Sequence, residues 1–246
     1  MIIYGINSIR EALSVRFGDF RQIIVTTGKQ EKSIIDVLGL AAVHKIPIER
    51  RDRKELNRLA GTEKHQGILG ILKEFIYSEL EDILQRYQTA GGKAFLLVLD
   101  CIQDPQNLGS LIRTANASGV NGVIIPKDRA AGITPTVVKA STGAIEHIPI
   151  CRVTNIAATI DRLKDAGIWV IGIEAGCGKD IYSFDMDTDL AIVIGSEGKG
   201  IRQLVKEKCD VCLSIPIKGN ISSLNASVAG GIVLFEVLRQ RFIKKS

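Results

Sequence analysis

Apolar positions along this chain change period several times, and each change marks an element. Residues 22–26 are a short β-branched run that predicts a strand, and residues 33–44 repeat apolar side chains at helical spacing. Residues 46–49 read as a strand, 53–60 as a helix and 67–73 as another strand, while Asn7 or Ser8 is placed to cap a short helix through Leu13. Residues 1–75 thus form a complete small α/β unit, within the size of domains that fold alone.

The alternation then stops. Ser78-Glu79-Leu80-Glu81 has the form of a capping box opening a helix to about Tyr87, and residues 88–93 are rich in turn formers and poor in apolar side chains. This predicts a linker over 76–93 and a second domain over 94–246. There the strands are expected at 94–99, 122–125, 148–153, 168–173, 190–194 and 211–215. The helices are expected at 108–118, 135–141, 156–166, 201–207 and 224–242. Strands this uniformly apolar suit an α/β fold, a mostly parallel sheet with helices on both faces. Such sheets bind ligands beyond the carboxyl ends of their strands.

Composition narrows the class. The 246 residues are 46% hydrophobic and 24% charged, ordinary for a globular protein. The longest apolar runs, such as 95–99 and 232–235, fall far short of the ~18 residues of a membrane span. The start, Met1-Ile2-Ile3-Tyr4-Gly5, lacks the basic and long apolar regions of a signal peptide, so no membrane and a cytoplasmic location are the expectation. Net charge is +5, and residues 1–75 carry 13 Lys/Arg against 9 Asp/Glu, so the excess sits in the first third, as suits a polyanion partner.

Five scattered cysteines do not look like a disulfide framework. Cys209 and Cys212 form a Cys-x-x-Cys pair, but it reads as part of a half-buried strand, and with no second pair and three histidines no metal site is expected. Nucleotide-binding signatures are absent. No Gly-x-Gly-x-x-Gly follows the first strand of the second domain. Gly176-Cys177-Gly178-Lys179 fails as a P-loop, because Ile173 stands where the earlier glycine belongs and Asp180 where Ser or Thr belongs.

Three polar segments each follow an apolar strand. The first is Asn107-Leu108-Gly109-Ser110-Leu111-Ile112-Arg113, with Asn107 where a helix cap is expected and Arg113 at the edge of the buried face. The second is Gly195-Ser196-Glu197-Gly198-Lys199-Gly200, whose three glycines permit unusual φ and close backbone approach. The third runs from Ile215-Pro216-Ile217 to Ser223-Leu224-Asn225, with Ser222 or Ser223 starting the last helix and Asn225 in its first turn. Each segment alone reads equally as a capped or tightly turned helix start.

In this order and spacing the three resemble the signature motifs of the SpoU (TrmH/RlmB-like) family of SPOUT 2′-O-ribose RNA methyltransferases, over about residues 95–240. Ile217 stands where the family usually has Met and Ala226 where Val is common; both are apolar exchanges. The start Tyr4-Gly5-Ile6-Asn7-Ser8-Ile9-Arg10-Glu11-Ala12-Leu13 and the turn Lys64-His65-Gln66-Gly67-Ile68 resemble the substrate-binding module of the same group.

The resemblance implies a C-terminal trefoil knot and S-adenosyl-L-methionine as cofactor. It implies catalytic roles for Asn107, Arg113, Glu197, Ser223 and Asn225, and cofactor contacts from Gly195, Ile215 and Leu224. It also implies a homodimer formed through the second domain, where Gly230-Gly231, Leu234 and Leu238 are candidates for the face.

An arginine base conflicts with the very high pKa of the guanidinium, so Arg113 is expected to bind phosphate or the ribose oxygen and stabilise developing charge. The basic stretch Arg50, Arg51, Arg53 and Lys54, with Lys64 and His65, is the candidate grip on RNA. Aromatics are 5% of the chain, too few for a base-stacking platform, so shape and backbone recognition are expected. The expected function is 2′-O-ribose methylation of structured RNA. The two-domain layout resembles the branch acting on large-subunit ribosomal RNA, with tRNA as the rival substrate. A non-catalytic, ribosome-associated RNA-binding protein is the other alternative.

Overall fold

The computed structural model describes residues 1–243. In chain order the first elements are β1 (Ile2–Tyr4), α1 (Ile6–Arg16), β2 (Phe20–Thr26), α2 (Lys32–Val43), β3 (Ile48–Arg51), α3 (Arg53–Ala60) and β4 (Ile68–Leu72). They are followed by α4 (Leu80–Ala90), β5 (Phe95–Asp100), α5 (Pro105–Ala117), β6 (Gly122–Pro126), α6 (Pro135–Ala140), β7 (Ile150–Val153), α7 (Ile156–Asp165) and β8 (Trp169–Ile173). The last are β9 (Lys179–Asp180), β10 (Leu190–Gly195), α8 (Gln203–Lys208), β11 (Val211–Ser214) and α9 (Ala226–Ile243). The chain divides into two units: Met1–Ile76 with Ile133–His147, and Tyr77–Gly132 with the chain from Ile148 onward.

The first unit is a mixed sheet in the order β1-β4-β2-β3, antiparallel except for the β2–β3 pair. Ile3, Ile9, Leu13, Ile23, Val25 and Val37 are fully buried in it. Helix α1 starts one residue before the expected cap: Gly5, at φ 94°, precedes it, while Ser8 is buried and its hydroxyl donates to the Val138 carbonyl at 3.3 Å. The helix runs on to Arg16, whose guanidinium makes a two-pronged pair with Glu146 at 2.6 and 2.9 Å. Segment 133–147 therefore belongs to this unit. A division into contiguous domains at 75 and 94 does not contain that excursion, because local pattern cannot reveal a segment that packs back across the chain.

The second unit is a seven-stranded sheet in the order β7-β6-β5-β10-β8-β11-β9, parallel at every pairing. Every residue of β5, β6 and β10 is buried, which is why these strands read as continuous apolar runs. The stretch expected as a linker carries α4, whose Leu80 and Ile83 join the core beside Leu96, Ile124 and Ile160. Glu79 precedes that helix and no side chain caps it; Ser78 instead donates its N–H to Ile150.

Helix α9 lies against α5 and β10 so closely that a Cβ on Gly230 would fall 2.3 Å from Leu111 Cδ2. Gly230 and Leu234 are thus spent on the chain's own core rather than on an open face, and Leu238 is half-buried.

One pair of cysteines departs from expectation. Cys177 and Cys212 form a disulfide across 35 positions, with Cα atoms 5.8 Å apart, tying the loop after β8 to β11. The Cys-x-x-Cys spacing is not the pairing used. Cys209 stays a thiol, pushed up to about 12 by burial and by the neighbouring Asp210 carboxylate.

Candidate active site

The carboxyl ends of β5, β10 and β11 converge, and the three polar segments leave from them. After β5, Asp104 rather than Asn107 caps α5: its Oδ1 accepts the Gln106 N–H at 3.0 Å, and Pro105 occupies the first turn. Asn107 is thereby freed from capping and lies buried inside the helix's first turn.

At the start of α9, Asn225 does cap. Its Oδ1 accepts the N–H groups of Ser227 at 2.9 Å and Val228 at 3.2 Å. Because that oxygen is committed to backbone donors, the amide nitrogen must point the other way. Asn225 Nδ2 donates to Asn107 Oδ1 at 3.0 Å and to Glu197 Oε1. Asn107 Nδ2 then donates to Glu197 Oε1 at 3.0 Å. Two amides and one carboxylate from three distant segments form a closed triangle whose donor directions are all fixed. Glu197 Oε2 takes no hydrogen bond among the described residues.

The turn holding Glu197 demands glycine. Ser196 and Gly200 exchange N–H···O bonds of 3.1 and 2.9 Å, folding the loop back onto the end of β10. A Cβ on Gly195 would sit 2.1 Å from the carbonyl carbon of Gly200, and Gly198 and Gly200 have φ of 76° and 65°.

Beside this turn lies a cavity of about 330 Å³. Ile173, Ile194, Ile215, Ile217, Leu224 and Ala229 supply apolar walls, and Gly195, Ser223 and Glu197 line it as well. Its size and its mixture of apolar walls with exposed backbone fit a nucleoside-sized ligand.

Of the residues expected at the site, Asn107, Glu197 and Asn225 are hydrogen-bonded to one another, and Gly195, Ile215, Ser223 and Leu224 line the cavity. Arg113 is not among the residues that line the cavity. It lies exposed six residues beyond Asn107, about 9 Å further along α5 and about 120° round the helix from it.

In the basic cluster, Arg50, Arg53, Lys54 and Lys64 are exposed. Arg51 is held between Glu49 at 2.7 Å and Glu55 at 2.5 Å. His65 cannot grip RNA, because it is fully buried: its Nδ1 accepts the Gly67 N–H at 3.0 Å and its Nε2–H donates to Asn57 Oδ1 at 2.7 Å. Burial, with Arg53 nearby, holds its pKa below the ordinary value.

The strand ends also supply groups that pattern reading passed over. Asp100, the last residue of β5, is fully buried and receives the Arg202 backbone N–H at 2.9 Å and its guanidinium at 2.6 and 2.8 Å. That pairing raises the Arg202 pKa and braces the far side of the glycine turn. An acid at the carboxyl end of an apolar strand was the available signal. No group of three or more metal-ligating side chains occurs among the described residues.

Comparisons with known proteins agree with this geometry. Residues 94–235 match the SpoU rRNA Methylase family, and residues 2–78 match the RNA 2′-O ribose methyltransferase substrate-binding family. A Staphylococcus aureus (strain MSSA476) protein named as a TrmH family tRNA/rRNA methyltransferase is 43% identical over 240 residues, covering 98% of this chain and 96% of its own. Bacillus subtilis (strain 168) YacO, named in the same way, is 48% identical over 205 residues, covering 83% and 82%.

Among solved structures, the SpoU methyltransferase AviRb from Streptomyces viridochromogenes in complex with AdoMet superposes with a TM-score of 0.83 at 24% identity, over 99% of this chain and 91% of that one. An AdoMet-bound rRNA methyltransferase from Sinorhizobium meliloti gives 0.79 at 23%, over 97% and 86%. At these identities the two establish the fold.

The family matches and sequence relatives define the class as RNA methyltransferases. The chain belongs to the SpoU (TrmH-like) family.

Proposed function

We propose that this protein methylates a ribose 2′-hydroxyl in structured RNA, with large-subunit ribosomal RNA as the substrate. The observation that carries the proposal is the Asn107–Glu197–Asn225 triangle beside the apolar cavity, which leaves one carboxylate oxygen open for a hydroxyl. Two family matches support the choice of atom and RNA. The match over residues 2–78 is to a 2′-O ribose methyltransferase substrate-binding family, and that over 94–235 to an rRNA methylase family.

Bound S-adenosylmethionine supplies an electrophilic methyl group on a sulfonium. The protein's work is then positioning and proton removal. Ile194, Ile215, Ile217 and Leu224, which line the cavity, would hold the adenosyl part, together with backbone at Gly195. Asn107 and Asn225 hold Glu197 in one orientation, and Ser223 orients the ribose at the cavity's edge. Glu197 Oε2 accepts the hydrogen bond of the 2′-hydroxyl. With the methyl donor bound, that carboxylate would take the proton that the hydroxyl gives up as its oxygen is methylated. Arg113 acts from the exposed flank of α5, where its planar fork suits a phosphate or ribose oxygen of the RNA. Arg50, Arg53, Lys54 and Lys64 supply the further grip on backbone phosphates, without His65.

The protein works as a homodimer in the cytoplasm. Val228, Phe235 and Phe242 recur at seven-residue spacing on α9 and stay about half exposed, an apolar stripe that a second copy would cover.

The test is methyl transfer from labelled S-adenosylmethionine to total RNA of a cell lacking this protein, followed by size separation and position mapping. Label at one large-subunit position is expected. Label confined to tRNA would overturn the substrate, and cofactor binding without label in any RNA would overturn the activity.

A further inference from the structure

The loops after β5, β6 and β10 enclose a second basin, of about 520 Å³, beside the cofactor cavity. The two share Ser196, Glu197, Lys199 and Gly200, and the second takes in Asn107 as well. The carboxylate triangle is thus open to both. Arg113 lines neither, so the cations that do stand with Asn107 are Arg129, Lys199 and Arg202.

Two independent observations suit this basin to an anion. The first is charge. Among the described residues, Arg202 is paired with buried Asp100, while the Asp104 and Glu197 carboxylates accept only from neutral N–H groups and take up none of the basin's cations. Arg129 and Lys199 make no ion pair among the described residues.

The second is backbone strain. Cys101 and Arg129 line the basin from different loops, and both sit in the left-handed region without being glycine, at φ 62° and 60°. The loops are joined by the Ala131 N–H to Ile102 carbonyl bond of 2.8 Å. Such a conformation costs about 1 kcal/mol per residue and persists where the surroundings impose it, as at ligand clamps.

We propose that this basin seats a phosphodiester of the RNA strand beside the target ribose, with Arg129 and Lys199 on its anionic oxygens. The inference rests on the 2′-O reading above. In RNA the 3′-phosphodiester hangs from the carbon next to the one bearing the 2′-hydroxyl. A ribose presented to Glu197 therefore carries a phosphodiester anion on the 3′-oxygen, attached to the carbon adjacent to the one that bears the reacting hydroxyl. The planar guanidinium of Arg129 matches two phosphate oxygens at once.

Arg129→Gly is the variant of choice: it removes the guanidinium, and glycine accepts the left-handed backbone, so folding is preserved. Lys199 also lines the cofactor cavity and separates the two roles less cleanly. Three quantities are read on the full chain: the S-adenosylhomocysteine Kd by calorimetry, the steady-state constants on the RNA transcript that the wild type methylates, and the salt dependence of binding to it.

The expected result is an unchanged S-adenosylhomocysteine Kd, a fall in kcat/KM of about 10- to 100-fold carried by KM, and a salt slope smaller by about 0.7 to 0.9. A transcript with one neutral methylphosphonate 3′ of the target ribose should weaken the wild type by a similar factor and Arg129→Gly no further. An active wild type with unchanged KM and salt slope in the variant, or equal methylphosphonate losses in both proteins, overturns the proposal alone. A wild type that methylates no RNA overturns the functional reading and this proposal with it.

Discussion

Glu197 is the residue on which the proposed chemistry turns, and its two oxygens have different duties. Oε1 is bound by the Asn107 and Asn225 amides, while Oε2 stays open. Arg113→Lys should lower kcat/KM by at least tenfold in a methyl-transfer assay, because a point charge cannot copy the bidentate fork; near-normal turnover would remove Arg113 from the substrate.

His65 makes a different kind of prediction. Its folded pKa is depressed, chiefly by burial, so the folded state binds its proton less readily than the unfolded chain does. The stability it supports is present above the ordinary value of 6.5 and is lost as pH falls below it. Thermal midpoints measured down a pH series should show this loss, and His65→Gln should flatten it.

At the scale of elements, the strands of the parallel sheet were legible because burial on both faces makes them continuous apolar runs. Ends were less legible. Asn107 carries a good capping side chain, yet Asp104 followed by Pro105 starts α5 three residues earlier and takes the role. That displacement is what makes Asn107 available to the site. The glycine turn was recognised as permissive, but why Gly195 must be glycine lies in the return of Gly200 against it, which no local pattern encodes. Gly195→Ala puts a methyl group onto backbone that cannot rotate away. It should abolish measurable S-adenosylhomocysteine binding in calorimetry; retained affinity would mean the turn is far softer than its hydrogen bonds suggest.

For the whole molecule, sequence showed two units, but not that residues 133–147 belong to the first nor that α4 packs into the core of the second. Both are long-range packing facts. The candidate site was legible as three segments in order, whereas their closure into one hydrogen-bonded triangle depends on the sheet order, in which β10 lies between β5 and β8. The stripe of Val228, Phe235 and Phe242 on α9 carries the prediction for assembly. Phe235→Glu should shift the protein from dimer to monomer in sedimentation equilibrium, without lowering its thermal midpoint below that of an isolated wild-type protomer. A wild type that sediments as a monomer at micromolar concentration would contradict the dimer.

The central claim is that the Asn107–Glu197–Asn225 triangle directs a methyl group to a ribose oxygen. It is tested most directly by digesting the methylated RNA to nucleosides and identifying the labelled product by mass spectrometry, for the wild type and for Glu197→Gln. The account predicts a 2′-O-methyl nucleoside from the wild type and a yield rate lower by about 10²- to 10⁴-fold from the variant. A base-methylated nucleoside, or an equal rate from Glu197→Gln with cofactor affinity intact, would contradict it.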